Sequence, residues 1–145
     1  MDKVIFSKES FKSTEILKIL RFEDSLLTPP LSRDVDIEEF SFKLARCASF
    51  LVGRLNGRIV AFMAYYINDT LKQIYITYIC VHSEAQHSGV GSKMVNWLVS
   101  NYSNAYHTIG LEVAKVNDKA RTFYDKLNFL IAEDRGFKLL MVKSM

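Results

Sequence analysis

The stretch TLKQIYITYICV (Thr70–Val81) constrains this chain more than any other. From Ile74 to Val81 every residue except Thr77 is apolar or aromatic, at both odd and even positions. Side chains alternate between the two faces of a strand, so such a strand is expected to be buried on both faces and to lie centrally in a sheet. The chain has 145 residues, 49% of them hydrophobic, which is enough for one core and one domain over residues 1–145.

The flanking segments change period around this strand. VIFSKES opens as a short strand at Val4–Phe6. KSTEILKILRFED then places Ile16, Ile19, Leu20 and Glu23 at helical spacing, with Ser13 as the expected N-cap. Pro29-Pro30 breaks the pattern, and Ile37, Phe40, Leu44 and Cys47 resume it. Asn56-Gly57 between two apolar runs predicts a type I′ hairpin. After the central strand comes a helix carrying Val90, Met94, Trp97 and Leu98. A strand HTIGLEV follows, then a helix carrying Ala120, Phe123, Tyr124 and Leu127, capped by Asn117 or Asp118. Asn128 stands where a helix end takes a left-handed residue, and two strands around Arg135-Gly136 close the chain. The predicted order is β-α-α-β-β-β-α-β-α-β-β, an α+β (mixed α/β) sandwich in which helices cover a mostly antiparallel sheet.

Between the central strand and the third helix lies SEAQHSGVGSK, with two of the chain's six glycines at Gly89 and Gly91. The first amides of a helix lack intrahelical partners and carry partial positive charge, and glycines let a ligand approach the backbone closely. This is an anion site suited to phosphate, or else simply a glycine turn into a helix. The Walker pattern G-x-x-x-x-G-K-[ST] is absent, and a dinucleotide fingerprint belongs to a parallel unit, not to an antiparallel meander. The net charge of +3 with no Lys/Arg stripe speaks against nucleic acid. No apolar run suits a membrane span or a secretory leader, so a cytoplasmic protein is expected. Cys47 and Cys80 sit in apolar stretches and read as buried thiols, not as a disulfide or metal set.

QHSGVG (Gln86–Gly91) resembles the Q/R-x-x-G-x-G/A acetyl-CoA loop of the GCN5-related N-acetyltransferase (GNAT) superfamily, and LEVAKVNDKARTFYDKLNF (Leu111–Phe129) resembles its strand and Asn-x-x-Ala-x-x-Phe-Tyr helix. The element order agrees over essentially the whole chain. The resemblance implies an acetyl-CoA-dependent N-acetyltransferase that transfers directly in a ternary complex, with acetyl-CoA as co-substrate and no metal. Amides of His87, Ser88, Gly89, Val90, Gly91 and Ser92, together with Lys93, would grip the pyrophosphate. Gln86 belongs to the same loop. The edge Ile79, Cys80 and Val81 would pair with the pantetheine arm, with the Val81 amide facing the acetyl carbonyl. Asn117 would bind the arm, and Tyr124 would donate to the departing thiolate. His87-Ser88 departs from the family's frequent Arg-Gly. In the family the helix pair and its loop, here Phe22–Arg33, wall the acceptor site, and Pro29-Pro30 would stiffen it.

For the general base the residues leave Glu112, His82 and Tyr78 open, each with a bland alternative as a structural group. Tyr124 on a helical aromatic stripe is otherwise a core residue. Tyr65, Tyr66, Tyr75 and Tyr78 would offer acceptor surface or be plain strand residues. With no acidic cluster for a polyamine and no Trp-lined groove for a peptide, the expected acceptor is a small-molecule primary amine. Two other readings are a catalytically inactive CoA-binding regulatory module of the same fold and a phosphate-binding domain unrelated to CoA. Family members often form homodimers through their last strands, and these residues leave that open.

Overall fold

The computed structural model describes residues 3–27 and 30–145, apart from the side chain of His87. Seven strands form one hydrogen-bonded order, β1-β2-β3-β4-β5-β7-β6. They are β1 (Ile5–Glu9), β2 (Ser49–Leu55), β3 (Arg58–Asn68), β4 (Gln73–Val81), β5 (Thr108–Ala114), β6 (Leu130–Asp134) and β7 (Lys138–Ser144). The helices are α1 (Ser13–Asp24), α2 (Ile37–Cys47), α3 (Val90–Tyr102) and α4 (Asp118–Lys126), so the predicted order of elements is the observed one. Among the described residues, no helix is long and apolar enough to cross a membrane.

The chain divides into two compact units, Met1–Ala64 with Tyr78–Gly91, and Tyr65–Thr77 with Ser92–Met145. In the first, β1 runs antiparallel to β2, with Ile5 opposite Arg54 and Glu9 opposite Phe50. Its core joins Ile16 and Leu20 of α1 and Leu44 of α2 to Leu51, Val52, Val60 and Phe62 of the strands, all fully buried. Phe11, Phe50, Phe62 and Tyr78 form a chain of ring contacts, with Phe62 in contact with each of the other three at centroid distances of 5.5–6.1 Å. The Asn56-Gly57 hairpin forms as predicted: both residues have positive φ (53° and 81°), the type I′ signature that matches strand twist.

In the second unit β4 and β5 pair in parallel from Gln73–Thr108 to Ile76–Leu111, and β7 runs antiparallel to β5 along its whole length. β6 pairs with β7 across an irregularity between Ile131 and Glu133 and is exposed at every residue. Ile74, Met94, Leu98, Ile109 and Phe129 are fully buried at its core. Asn128 takes φ 70° immediately after α4, the left-handed position read from the sequence.

Three local expectations are corrected. The N-cap of α1 is Lys12, not Ser13: the chain is still extended at Lys12, whose N–H donates to the Glu15 carboxylate at 2.9 Å. Cys47 is exposed, because α2 buries Ser41 and Leu44 and leaves its last residue outside that stripe, whereas Cys80 is buried as expected. In β4 only the face of Ile74, Ile76, Tyr78 and Cys80 is fully buried. Tyr75, Thr77, Ile79 and Val81 are half-buried. Pro29, expected to stiffen the acceptor wall, lies outside the described residues; Pro30 begins a short 3₁₀ turn, Leu31–Arg33.

Candidate active site

The first unit carries the end of β4 and the turn that follows. The His82 N–H donates to the Val60 carbonyl of β3 at 2.8 Å. In a regular strand neighbouring residues point their backbone groups to opposite edges, so the N–H and C=O of Val81 face away from β3. The Val81 carbonyl accepts from the Gln86 side-chain amide at 2.9 Å, so Gln86 ties the loop back to the strand end. Ser83–Ser88 form a 3₁₀ turn where the sequence suggested a plain loop, closed by Ala85 N–H to the His82 carbonyl (2.9 Å) and by the Ser88 hydroxyl to the Ala85 carbonyl (2.9 Å). Gly89 ends this turn with φ 70° and ψ 23°, a left-handed conformation that L side chains resist. α3 starts one residue later, at Val90, so Gly91 is already helical. No acidic residue lies in the first turn of α3, and Lys93 there is exposed. The helix start keeps its full partial positive charge for an anion.

The same unit holds a buried polar cluster that the sequence reading did not assemble. Glu23 on α1 is fully buried, and its Oε1 accepts from the Tyr78 hydroxyl at 2.9 Å. Its Oε2 lies 2.6 Å from Nε2 of His82, itself buried. Phe22, exposed, sets its ring 5.4 Å from the imidazole. Glu23, Cys80 and His82 have ligand-type atoms within 4.8 Å of one another, but each Glu23 oxygen is already engaged by Tyr78 or His82. Burial pushes the Glu23 carboxyl upward, against the opposing pull of bonds from His82 and Tyr78. Burial, with Glu23 beside it, raises the Tyr78 phenol far above its usual value and pushes the Cys80 thiol up to about 12. Both keep their protons near neutrality, so Tyr78 is no base and Cys80 no nucleophile. The sequence signal for Glu23 was its place on the Ile16–Leu20 stripe, where a carboxylate needs a buried partner.

The second unit carries the other expected residues. Asn117 caps α4: its Oδ1 accepts from the Ala120 N–H at 3.1 Å, which leaves the Nδ2 amide as the donor for a ligand. Tyr124 is buried between the rings of Phe123 and Phe129, and burial pushes its phenol up to about 12. Glu112 is held by Arg135 at 3.1 Å, and Arg135 also meets Glu133 at 3.2 Å. Tyr75 is raised by burial and by the nearby Glu112. Tyr65 is fully buried and hydrogen-bonded to the Tyr102 hydroxyl at 2.7 Å, so neither it nor Tyr78 provides the open acceptor surface expected of them.

Residues 14–129 match the sequence model of the Acetyltransferase (GNAT) family. The chain belongs to the GNAT acetyltransferase family. GNAT structures share its fold at low identity. The ribosomal-protein-S18-alanine N-acetyltransferase of Escherichia coli is 18% identical, with a TM-score of 0.74 over 97% of this chain and 94% of that one. Ard1 from Thermoplasma volcanium is 21% identical, with a TM-score of 0.76 over 97% of each chain. The PaiA N-acetyltransferase of Thermoplasma acidophilum, solved in complex with coenzyme A, is 14% identical, with a TM-score of 0.75 over 97% of this chain and 99% of that one. No curated protein matches the sequence. In this GNAT chain the left-handed glycine turn stands at Gly89 and the asparagine that caps α4 is Asn117.

Proposed function

We propose that the chain is a single-domain, acetyl-CoA-dependent N-acetyltransferase acting on the primary amine of a small molecule, with direct transfer in a ternary complex. The observation that carries this reading is the Gly89 turn: a left-handed glycine opening a helix with no acidic residue in its first turn, joined by the Ser83–Ser88 3₁₀ turn to a strand whose last carbonyl is pinned by Gln86.

In this reading the amides from Ser88 to Ser92 hold the pyrophosphate, with Lys93 as a further cation, and His87 contributes through its backbone. Ile79, Cys80 and Val81 present the edge for the pantetheine arm, and Asn117 donates to it through Nδ2. The acceptor amine loses a proton and attacks the thioester carbon. The C–N bond forms, the C–S bond breaks, and the Val81 N–H stabilises negative charge on the carbonyl oxygen. The thiolate leaves toward Tyr124. A phenol near 12 is a weaker acid than a thiol near 8.5, so Tyr124 stabilises the thiolate by donating a hydrogen bond, and the proton itself stays on the phenol. The proton from the amine goes to His82 or Glu112. Of these two, Glu112 already neutralises Arg135.

Tyr124→Phe is expected to lower kcat by about 10-fold or more, in the range of one lost transition-state donor, with the acetyl-CoA Kd changed less than twofold. Wild-type turnover in that variant would remove Tyr124 from the mechanism.

The small-amine assignment rests on the absence of an acidic cluster or Trp-lined groove in the sequence. The E. coli neighbour is named for an alanine of ribosomal protein S18, so a peptide with an N-terminal alanine belongs in the assay panel. The test is calorimetric titration with acetyl-CoA, ATP and NAD, followed by thiol release across amino sugars, amino acid derivatives and that peptide. Selective saturable acetyl-CoA binding with amine-dependent thiol release is the expected result. Binding without release on any amine would leave a CoA-binding module, and no binding by the folded protein would end the family-based site assignment.

A further inference from the structure

We infer that Glu23 is a positioning residue for His82: its buried carboxylate fixes the imidazole so that Nδ1 is held bare as the acceptor of the amine proton. The inference rests on the acetyltransferase reading and adds to it a residue from α1, 59 positions away from the histidine it orients.

The geometry has three parts. Glu23 is fully buried and spends one oxygen on His82 Nε2 at 2.6 Å and the other on the Tyr78 hydroxyl at 2.9 Å. Tyr78 is a donor to that carboxylate, so the carboxylate is clamped from β4 and directed at the ring. With Nε2–H donated to Glu23, the free lone pair of the neutral imidazole is on Nδ1. His82 follows Val81 directly, and its backbone is pinned to β3 through Val60. The exposed Phe22 sets a tilted ring against the imidazole, with the planes at 51°. The titratable groups facing the ring are Glu23 from α1, and Tyr78 and Cys80 from β4 itself. Phe22 and, from α2, Phe40 against Tyr78 add only apolar surface. Glu84 of the following turn is engaged by Arg58 at 2.7 Å.

The chemistry follows the logic of a carboxylate-oriented imidazole. The amine proton moves to Nδ1, and the buried Glu23 charge stabilises the imidazolium that forms. A carboxylate buried only for packing would be a poor choice, since a hydrophobic residue of similar size costs less to bury.

The experiment uses the full chain with 15N-labelled histidine, the His82 ring being assigned by its loss in His82→Gln. Wild type is expected to show a protonated Nε2 and a bare Nδ1 in the neutral ring. In Glu23→Gln the Gln oxygen still accepts from Tyr78, so its NH₂ faces Nε2 and the ring switches to the Nδ1–H tautomer. That variant is expected to lose about 10²- to 10⁴-fold in kcat/KM, the span of a general base. Its acetyl-CoA Kd should stay within threefold, and the acidic limb of its pH–rate profile should move. Glu23→Asp keeps the charge and serves if the amide variant melts, with the bare Nδ1 retained and a smaller loss. A wild-type ring with Nδ1–H, or a Glu23→Gln variant with an unmoved tautomer and acidic limb, overturns the inference. Wild-type protein with the expected tautomer but no amine-dependent thiol release would sink the acetyltransferase reading while upholding the Glu23–His82 arrangement.

Discussion

Gly89→Val is expected to weaken acetyl-CoA binding at least about 100-fold, which corresponds to roughly 2.8 kcal/mol. Two effects act together. At φ 70° a left-handed residue other than glycine costs about 1–2 kcal/mol, and a β-branched side chain is the worst case. Among the described residues, no atom beyond Gly89 and its chain neighbours lies within 4 Å of where a Cβ at this position would be, so the added side chain occupies open space, which in the proposed reading a pyrophosphate oxygen needs in order to reach the amides. Gly89→Asn separates the two effects, since Asn tolerates the left-handed region while still adding bulk. Gly91 is helical, so Gly91→Val carries no left-handed strain. Calorimetry on folded variants decides the matter. An acetyl-CoA Kd for Gly89→Val within threefold of wild type would withdraw the loop from the binding site.

Phe62→Ala is the second large effect, this time on stability. Phe62 is fully buried on β3, stacked at 28° on Phe50 with centroids 5.5 Å apart, edge-on to Phe11 and tilted against Tyr78. Truncating such a ring removes its transfer free energy and leaves a cavity that three neighbouring aromatics cannot collapse into. The expected cost is about 3–5 kcal/mol. For a chain of this size that lowers the melting temperature by roughly 10 °C or more. Urea unfolding measured alongside checks the free energy directly. The loss also loosens Tyr78, the donor that clamps Glu23, so turnover should fall further than acetyl-CoA affinity. A melting temperature within 2 °C of wild type would show that this cluster is not the core of its unit.

The features legible in the sequence share a physical origin. Each is decided by one residue and its nearest neighbours along the chain. Asn56-Gly57 takes the paired positive φ values of a type I′ turn because only such residues tolerate them. Asn128 ends α4 in the left-handed region for the same reason, and the Gly89 turn was visible from two glycines between a strand and a helix. Among the described residues, hydrophobic period and turn signals ordered the seven strands and four α-helices correctly, though not the two short 3₁₀ helices. Where two neighbouring residues competed, the reading was weaker: Lys12 caps α1 because Glu15 supplies the oxygen, although Ser13 is the better cap by type.

The candidate site was legible only in part. Local pattern and family resemblance pointed to Gly89, Asn117, Tyr124 and His82. Neither showed that Glu23 clamps His82, because that bond joins residues 59 positions apart and depends on where α1 rests on β4. Glu23 sat openly on an apolar stripe, yet burial alone does not name a partner. The same holds for Tyr65 and Tyr78. As strand tyrosines their exposure was undecided until Tyr102 and Glu23 came within 2.7 and 2.9 Å of their hydroxyls. Secondary structure and turn chemistry are short-range and were written in the order of residues. The pairing of a buried carboxylate with an imidazole is long-range, and only the folded chain, which removes both groups from water together, could decide it.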